Sequence, residues 1–260
     1  MKKFNPSIIP SLFTSANILC GYFSLCFSMN NEFVEAAWLL ILAMIFDILD
    51  GRIARRLGAE SRFGSELDSL ADAISFGVSP AILMYKKYFF SLGIYGVLLS
   101  FIYLLCGVIR LARFNITPSK PYFEGLPIPG GAGLIATFIL IELKYNLGPF
   151  DIRLYVGMFL LFAFLMISQI KFLSLKKTVK NTTKRQYLGY FMIAILLTRF
   201  PAEILFLIGY SYLFWGILQA LAEKIKFSLP KKAVESEREV ENVAVESGDD
   251  EIAARAKKDD

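Results

Sequence analysis

Four aspartates lie close together in the sequence, at spacings that suit a shared cation site. Asp47 and Asp50 are three residues apart, and Asp68 and Asp72 are four residues apart. On a helix, either spacing places both carboxylates on one face, so two neighbouring helices could present all four to one point. Four like charges repel one another and are costly to bury, whereas two divalent cations would balance them. The spacing therefore predicts a two-metal site, at which a diphosphate substrate could complete the coordination.

The rest of the composition limits which chemistry is available. The chain contains no histidine, and its three cysteines all lie in apolar stretches with no paired spacing, which gives neither a disulfide framework nor a zinc signature. Acid–base and metal chemistry must then rest mainly on carboxylates, which suit hard cations, and we predict two divalent cations, Mg²⁺ or Mn²⁺. The alternative interpretation is structural, with the four carboxylates at helix ends and two of them paired with Arg55 and Arg62.

The elements that must position these carboxylates are long apolar segments. The 260 residues are 55% hydrophobic, with 24 Phe and 12 Tyr, and the apolar residues fall in blocks rather than in amphipathic stripes. A helix needs roughly 20 mostly apolar residues to span a bilayer. The sequence therefore predicts an all-α integral membrane protein with about eight transmembrane helices. Their approximate bounds are 10–29, 33–50, 66–88, 92–111, 131–142, 154–170 and, on either side of a turn at 199–201, two short helices within 187–221.

The distribution of charge predicts the orientation of this bundle. The loops 51–65, 110–130 and 171–186 are rich in Lys and Arg, and with eight spans they share one side with both termini. Residues 113–131 are also rich in Pro and Gly, which predicts a loop there. The positive-inside rule makes that side cytoplasmic, which predicts a multi-pass protein of the cytoplasmic membrane whose polar active site faces the cytoplasm. The scattered placement of the basic residues argues against binding of nucleic acid. We predict a transmembrane domain over 1–228 and a charged, disordered cytoplasmic tail over 229–260.

The aspartates belong to a longer pattern. The spacing D-x2-D-G-x2-A-R-x8-G-x3-D-x3-D is complete over residues 47–72 and resembles the signature of the CDP-alcohol phosphatidyltransferase family. The resemblance implies that Asp47 and Asp68 touch both metals and that Asp50 completes the first metal site. It also implies that Asp72 completes the second metal site and acts as the catalytic base toward the incoming hydroxyl.

The same resemblance implies which residues bind the CDP-lipid. Gly51, Arg55 and Ser61 match positions that contact it in this family, although Ser61 lies in the variable stretch of the pattern. Gly51, Ala54 and Gly64 also lack bulk where the backbone must approach a ligand or another helix. We include Ala54 among the predicted contacts, together with Asn17 from the first span.

Three further segments point to one branch of the family. Residues 10–14 with Asn17, residues 110–115 and residues 123–127 resemble the membrane phosphatidylserine synthases, and with them the likeness covers roughly residues 8–135. This implies transfer of a phosphatidyl group from CDP-diacylglycerol to L-serine, with release of CMP, by an enzyme that the family suggests is a homodimer.

Arginine chemistry is compatible with serine as the acceptor. Arg110 and Arg113 lie where the fourth span meets the Pro- and Gly-rich loop, on the side of the aspartates. A guanidinium group binds a carboxylate through two parallel hydrogen bonds, so we assign both residues to the serine pocket. The alternative is that they only extend from a helix end toward water.

Several functional alternatives remain open. Glycerol 3-phosphate or inositol phosphate could use the same two arginines, and an archaeal ether CDP-lipid would present the same headgroup chemistry. A cation transporter would place its carboxylates near the bilayer midplane, often on broken helices or in related repeats. In this chain the aspartates are predicted at helix ends beside a basic loop, and the sequence has no internal repeat, which favours the enzyme.

Overall fold

The computed structural model describes residues 8–59, 61–116, 123–168, 170–172 and 199–228, and these are almost entirely helical. The helices are α1 (Ile8–Met29), α2 (Phe33–Leu57), α3 (Arg62–Asp72), α4 (Ser79–Met84), α5 (Ile94–Ile116), α6 (Ile128–Tyr145), α7 (Ile152–Ile167) and α8 (Pro201–Ser228). Two strands, β1 (Phe123–Glu124) and β2 (Lys171–Phe172), form one short antiparallel pair. The prediction of an all-helical architecture is confirmed in this part of the chain.

The segment Arg62–Leu92 is a single helical run with local changes of pitch. Two π-helical stretches, Ala73–Val78 and Tyr85–Phe89, flank α4, and a 3₁₀ turn over Phe90–Leu92 ends the run. The first π-helical stretch begins directly after Asp72. Such wide turns often occur at functional sites because they re-aim the side chains beside them.

Five helical segments of the described part are long and apolar enough to cross a membrane. They are Ile9–Met29, Arg62–Leu92, Ile94–Ile116, Ile128–Tyr145 and Pro201–Leu221. Helix α7 is apolar but has only 16 residues, and α2 carries Glu35, Asp47 and Asp50 within its apolar part. These findings support a multi-pass membrane protein. The count of eight spans stays a prediction, because most of the segment from residue 187 to the predicted turn lies outside the described residues.

Several predicted boundaries were wrong, among them the end of the second span, because α2 continues past residue 50 to Leu57 and takes in part of the basic segment over 51–65. The predicted loop over 113–131 was too long, because α5 continues to Ile116 and α6 already begins at Ile128, directly after Pro127. Proline is tolerated in a first helical turn, where its missing N–H has no intrahelical partner to lose. The sixth predicted span was three residues too long, since the backbone is already extended at Ser168. The last helix begins at the predicted turn but runs on to Ser228, so it is not short.

Helices α1 and α2 form the hairpin that supports the aspartates. Asn31 takes a left-handed conformation between them (φ 64°), and the Ser24 hydroxyl donates to the Ala36 carbonyl at 2.9 Å. Ala36 and Ala37 are fully buried, because small side chains allow two helix backbones to approach closely. Since the two helices run in opposite directions, the first turns of α1 lie beside the last turns of α2.

The other side of α1 packs against the Arg62–Leu92 segment. Ser75 and Ser79 donate to the backbone carbonyls of Asn17 and Gly21 at 2.9 and 2.7 Å. A Cβ atom on Gly21 would lie 2.6 Å from the Ser75 Cα atom, so only glycine fits there. Helix α1 therefore holds both aspartate-bearing segments, α2 and α3, in place.

We expect Gly21→Ala to lower the melting temperature of the detergent-solubilised protein. The added methyl meets backbone, so the helices must separate, and overpacking of this kind costs about 1–3 kcal/mol. Gly157→Ala on α7 is the control, since its Cβ would meet no atom within 4 Å. Equal melting temperatures for the two variants would contradict the close approach of α1 to Ser75.

A buried polar network joins α6, α7 and the Arg62–Leu92 segment at the other end of the bundle. The Glu142 carboxylate accepts hydrogen bonds from Tyr88 and Tyr155 and pairs with Lys87, whose Nζ atom lies 3.5 Å from it. Lys87 also lies over the ring of Phe33, at the start of α2. The Glu142 carboxylate is therefore fully partnered. Because Lys87 lies beside Phe33, the network is at the opposite end of α2 from Asp47 and Asp50.

The chain divides into two compact units, Met1–Gly216 and Ile217–Asp260. Every feature discussed below lies in the first unit. The described part of the second unit is the final portion of α8, which ends at Ser228. The boundary that the sequence predicts between 228 and 229 stays a prediction.

Candidate active site

The aspartates of α2 and α3 come together in the structure. Carboxylate oxygens of Asp47, Asp50 and Asp68 all lie within 4.8 Å of one another. The Asp72 carboxyl group is within hydrogen-bonding reach of Asp47. The two spacings noted in the sequence thus produce one cluster, built from the last turns of α2 and from α3.

A tight connection between α2 and α3 brings the carboxylates to one place. Gly58 adopts a left-handed conformation (φ 57°) and ends α2, as glycine does at many helix C-termini. Ser61 then caps the start of α3, where its hydroxyl accepts a hydrogen bond from the Gly64 N–H at 3.0 Å. Ser61, predicted as a CDP-lipid contact, is therefore also a helix cap.

The cluster contains carboxylate oxygens that no described residue satisfies. Asp50 and Asp72 are only 5% and 8% exposed. One buried oxygen of each, and one of Asp68, has no hydrogen-bond partner among the residues that the structure describes. Unpaired buried carboxylate oxygens are strongly unfavourable, unless a cation binds them. An all-oxygen donor set of this kind fits Mg²⁺ or Mn²⁺.

A cavity of about 370 Å³ lies beside the cluster. It is lined by Pro10, Ser11, Thr14, Asp50, Gly51, Ala54, Arg55, Ala59, Ser61, Gly64, Ser65 and Asp68. Four of the five predicted CDP-lipid contacts line it together with two aspartates. A Cβ atom on Gly51 would lie 3.5 Å from an Arg55 guanidinium nitrogen, so the Arg55 side chain lies next to Gly51.

Some lining residues were not predicted as ligand contacts. Thr14 lines the cavity beside Asp50 and therefore brings α1 to the cluster, while its hydroxyl donates to the Pro10 carbonyl at 3.2 Å. Ala59 and Ser65 lie in the variable positions of the aspartate pattern, where no residue type is required. Their only signal in the sequence was their place between Arg55 and Asp68.

Asn17 is placed differently from the other predicted contacts. It is fully buried on α1, one turn beyond Thr14, and it is not among the residues that line the cavity. Its backbone carbonyl accepts the Ser75 hydroxyl. Neither polar atom of its side-chain amide has a hydrogen-bond partner in the described part of the chain, so a contact with the CDP-lipid stays a prediction.

The two arginines assigned to a serine pocket have different surroundings. Arg110 is 8% exposed, interacts electrostatically with Asp72 and Tyr212, and has a buried Nε atom with no hydrogen-bond partner among the described residues. Arg113 donates from Nη1 to the Ile167 carbonyl at 3.0 Å. The electrostatic interaction of Arg110 with Asp72 connects it to the aspartate cluster, although Arg110 is not a lining residue of the cavity.

A helical membrane protein with clustered carboxylates beside a polar cavity has the features of an enzyme that acts on a phosphate-bearing lipid. The family model "CDP-alcohol phosphatidyltransferase" matches residues 7–168, more than half of the chain. The protein belongs to this family. The family resemblance of the aspartate pattern, and the prediction that the chain is a transferase, are therefore confirmed.

Curated relatives agree with this assignment over much of their length. The chain is 38% identical over 232 residues to a CDP-diacylglycerol--serine O-phosphatidyltransferase of Helicobacter pylori (strain J99), which covers 87% of this chain and 97% of the relative. It is 38% identical over 170 residues to the Bacillus subtilis enzyme of the same name, covering 65% and 92%. An archaetidylserine synthase of Methanothermobacter thermautotrophicus is 38% identical over 167 residues, covering 63% and 69%.

Proposed function

We propose that the protein transfers a phosphatidyl group from CDP-diacylglycerol to the hydroxyl of L-serine, giving phosphatidylserine and CMP. The observation that carries this proposal is the arrangement around the aspartates. The cavity is lined by Asp50 and Asp68, whereas the buried Arg110 interacts electrostatically with Asp72. A donor in the cavity and an acceptor beside Arg110 would meet at the carboxylates. The names of the bacterial relatives support serine as that acceptor.

The donor side of the site suits a nucleotide diphosphate. Gly51 and Ala54 leave space along α2, and Arg55 supplies a cation at the wall of the cavity. Guanidinium groups bind phosphate oxygens through paired hydrogen bonds. We assign Gly51, Ala54, Arg55 and Ser61 to the CDP moiety, with Asn17 as a deeper contact.

Asp47, Asp50, Asp68 and Asp72 would hold two divalent cations, Mg²⁺ or Mn²⁺. When bound, such ions neutralise phosphate charge and stabilise the attacking and leaving oxygens of a displacement. The unpartnered oxygens of Asp50, Asp68 and Asp72 support this assignment. Asp72 has a second role in the proposal: it removes the proton from the serine hydroxyl, which is a poor nucleophile until it is deprotonated.

Arg110 would bind the serine carboxylate. A buried guanidinium group whose Nε–H lacks a partner is unfavourable in the free protein, and a carboxylate supplies the missing acceptor. The nearby Asp72 would then lie close to the hydroxyl end of the same small molecule. Glycerol 3-phosphate offers a phosphate in place of the carboxylate and is the main alternative acceptor.

The deciding experiment measures CMP release by the detergent-solubilised protein with CDP-diacylglycerol and one acceptor at a time. We expect release with L-serine to exceed release with glycerol 3-phosphate or inositol phosphate by at least about a hundredfold, because a site built to pair with particular polar groups rejects analogues that leave them unpaired. Faster CMP release with glycerol 3-phosphate or inositol phosphate than with serine would show that this compound, and not serine, is the acceptor. A parallel reaction with an ether-linked CDP-lipid measures the preference for the lipid tails.

The cellular arrangement follows from the same proposal. CMP and serine are water-soluble, so the aspartate end of the bundle would face the cytoplasm, with both termini on that side of the cytoplasmic membrane. The surplus of Lys and Arg in the segments near this end supports that orientation. We also propose a homodimer, as the family suggests.

Arg55→Ala should raise the apparent KM for CDP-diacylglycerol by about tenfold, the effect of losing one charge-assisted contact, with little change in the KM for serine. Arg55 lines the cavity that we assign to the donor. Arg52→Ala is the matched control, because Arg52 is exposed on the same helix and is not among the lining residues. A larger rise in the KM for serine than for the lipid would place Arg55 in the acceptor pocket.

A further inference from the structure

We propose that Arg113 is a positioning residue for the acceptor pocket rather than a ligand of the acceptor. In this view Arg113 and the segment Phe123–Pro127, here called the strap, hold the turn of α5 that carries Arg110. The inference rests on the proposed function for the role of Arg110 but not for the contacts of Arg113. It separates two arginines that the sequence alone assigned to one pocket.

Arg113 acts on the end of α7. Its Nη1 atom donates to the carbonyl of Ile167, the last residue of that helix, at 3.0 Å. The last carbonyls of a helix have no intrahelical partner, and the partial negative charge there favours a cation. The contact therefore stabilises the end of α7 and joins it to the end of α5.

The strap binds the same helix end through its backbone. The Leu126 N–H donates to the Leu165 carbonyl and the Gly125 N–H to the Ile170 carbonyl, both at 2.9 Å. Gly125 has a φ of 77°, and a Cβ atom there would collide with the Met166 carbonyl. A side chain at this position would thus push the strap away from α7.

These contacts enclose the turn of α5 that carries Arg110. One turn before Arg110, Gly107 lies against Ile128 at the start of α6, where a Cβ atom would lie 2.6 Å from the Ile128 side chain. One turn after Arg110, Arg113 holds the end of α7. Leu126 and Ile128, which connect the strap to α6, are 1% and 0% exposed. The turn of α5 that carries Arg110 is therefore held from both sides.

The test compares conservative and non-conservative changes at the two arginines. Arg113→Ala should raise the KM for serine by about tenfold, the size expected when one charged hydrogen bond is lost. It should leave the KM for CDP-diacylglycerol within about twofold of the wild-type value. Arg113→Lys should recover most of that loss, because one ammonium N–H is enough for a single carbonyl. Arg110→Lys should remain as impaired as Arg110→Ala, because lysine lacks the planar fork that binds a carboxylate.

A double-mutant cycle adds a second readout. Gly125→Ala and Arg113→Ala both release the end of α7, so their effects on serine KM and on melting temperature should be less than additive. The proposal would be overturned if Arg113→Lys had the same raised KM for serine as Arg113→Ala but a wild-type melting temperature. That result would show that the guanidinium group binds the acceptor. Additive effects in the cycle would overturn it as well.

The test distinguishes failure of this inference from failure of the proposed function. If the wild-type protein releases no CMP with serine, the proposed function is wrong. The melting temperatures of Arg113→Lys, Arg113→Ala and the double mutant then still support or overturn the structural contact. The lysine comparison does not depend on Gly125→Ala being able to fold.

Discussion

Alanine at any one of Asp47, Asp50, Asp68 and Asp72 should lower CMP release at least about a thousandfold, which corresponds to about 4 kcal/mol of transition-state stabilisation. Carboxylates of three of these residues lie within 4.8 Å of one another, and the fourth reaches Asp47. Removal of one carboxylate from so close a group disturbs every ligand position in it. The measurement is the single-turnover rate of each variant with saturating substrates.

The control for this series is Glu66→Ala, an exposed carboxylate on α3 two residues before Asp68, which should leave the rate unchanged. In the wild type, excess chelator should abolish turnover, and Mg²⁺ or Mn²⁺ should restore it. Mg²⁺ should also raise the melting temperature of the wild type but not of the alanine variants, since an ion that binds only the folded state stabilises it. Full activity in excess chelator would refute the two-metal proposal.

Asp72→Asn should still bind CDP-diacylglycerol with near-normal affinity and yet turn over at least about a hundredfold more slowly, the lower range for the loss of a general base. Asparagine keeps the shape and one oxygen of the side chain but cannot accept the proton of the serine hydroxyl. The position supports separate roles for Asp72, because it interacts electrostatically with Arg110, on the proposed acceptor side, and is not a lining residue of the cavity.

Asp47→Asn is the comparison for that experiment. The family resemblance implies that Asp47 touches both metals, and its carboxylate lies within 4.8 Å of those of Asp50 and Asp68, so its replacement should weaken binding of the CDP-lipid as well as turnover. Lipid binding and single-turnover rates should be measured for both variants. If Asp72→Asn turned over at the wild-type rate, Asp72 would not be the catalytic base. It could then act only as a metal ligand, and another group would have to remove the proton.

The location of the site was predictable because its main determinants are local in the sequence. The spacings of Asp47 with Asp50 and of Asp68 with Asp72 are helical, and Gly58 with Ser61 provides an ordinary stop and start between the two helices. The apolar blocks likewise predicted most helices, since a bilayer-spanning helix has a defined length and composition. The roles of individual site residues remain predictions.

What could not be predicted depends on contacts between distant segments. Nothing near Arg113 in the sequence indicates that its guanidinium group would meet the Ile167 carbonyl, because the two lie 54 positions apart. The pairing of β1 with β2 has the same origin. The start of α6 was misplaced for a different reason: Pro129 was interpreted as a loop residue, although proline also suits the first turn of a helix, where it lies here.

The placement of the cavity and of Arg110 has a stereochemical consequence. The cavity is lined by Asp50 and Asp68, and Arg110 interacts electrostatically with Asp72. With the CDP group in the cavity and serine beside Arg110, as we propose, the hydroxyl would attack phosphorus in line with the departing CMP. A single in-line displacement of this kind inverts the arrangement of groups around phosphorus. If the transferred phosphate were made chiral by oxygen isotopes, the lipid product would then carry the inverted configuration at phosphorus, and both substrates would be bound at the moment of transfer.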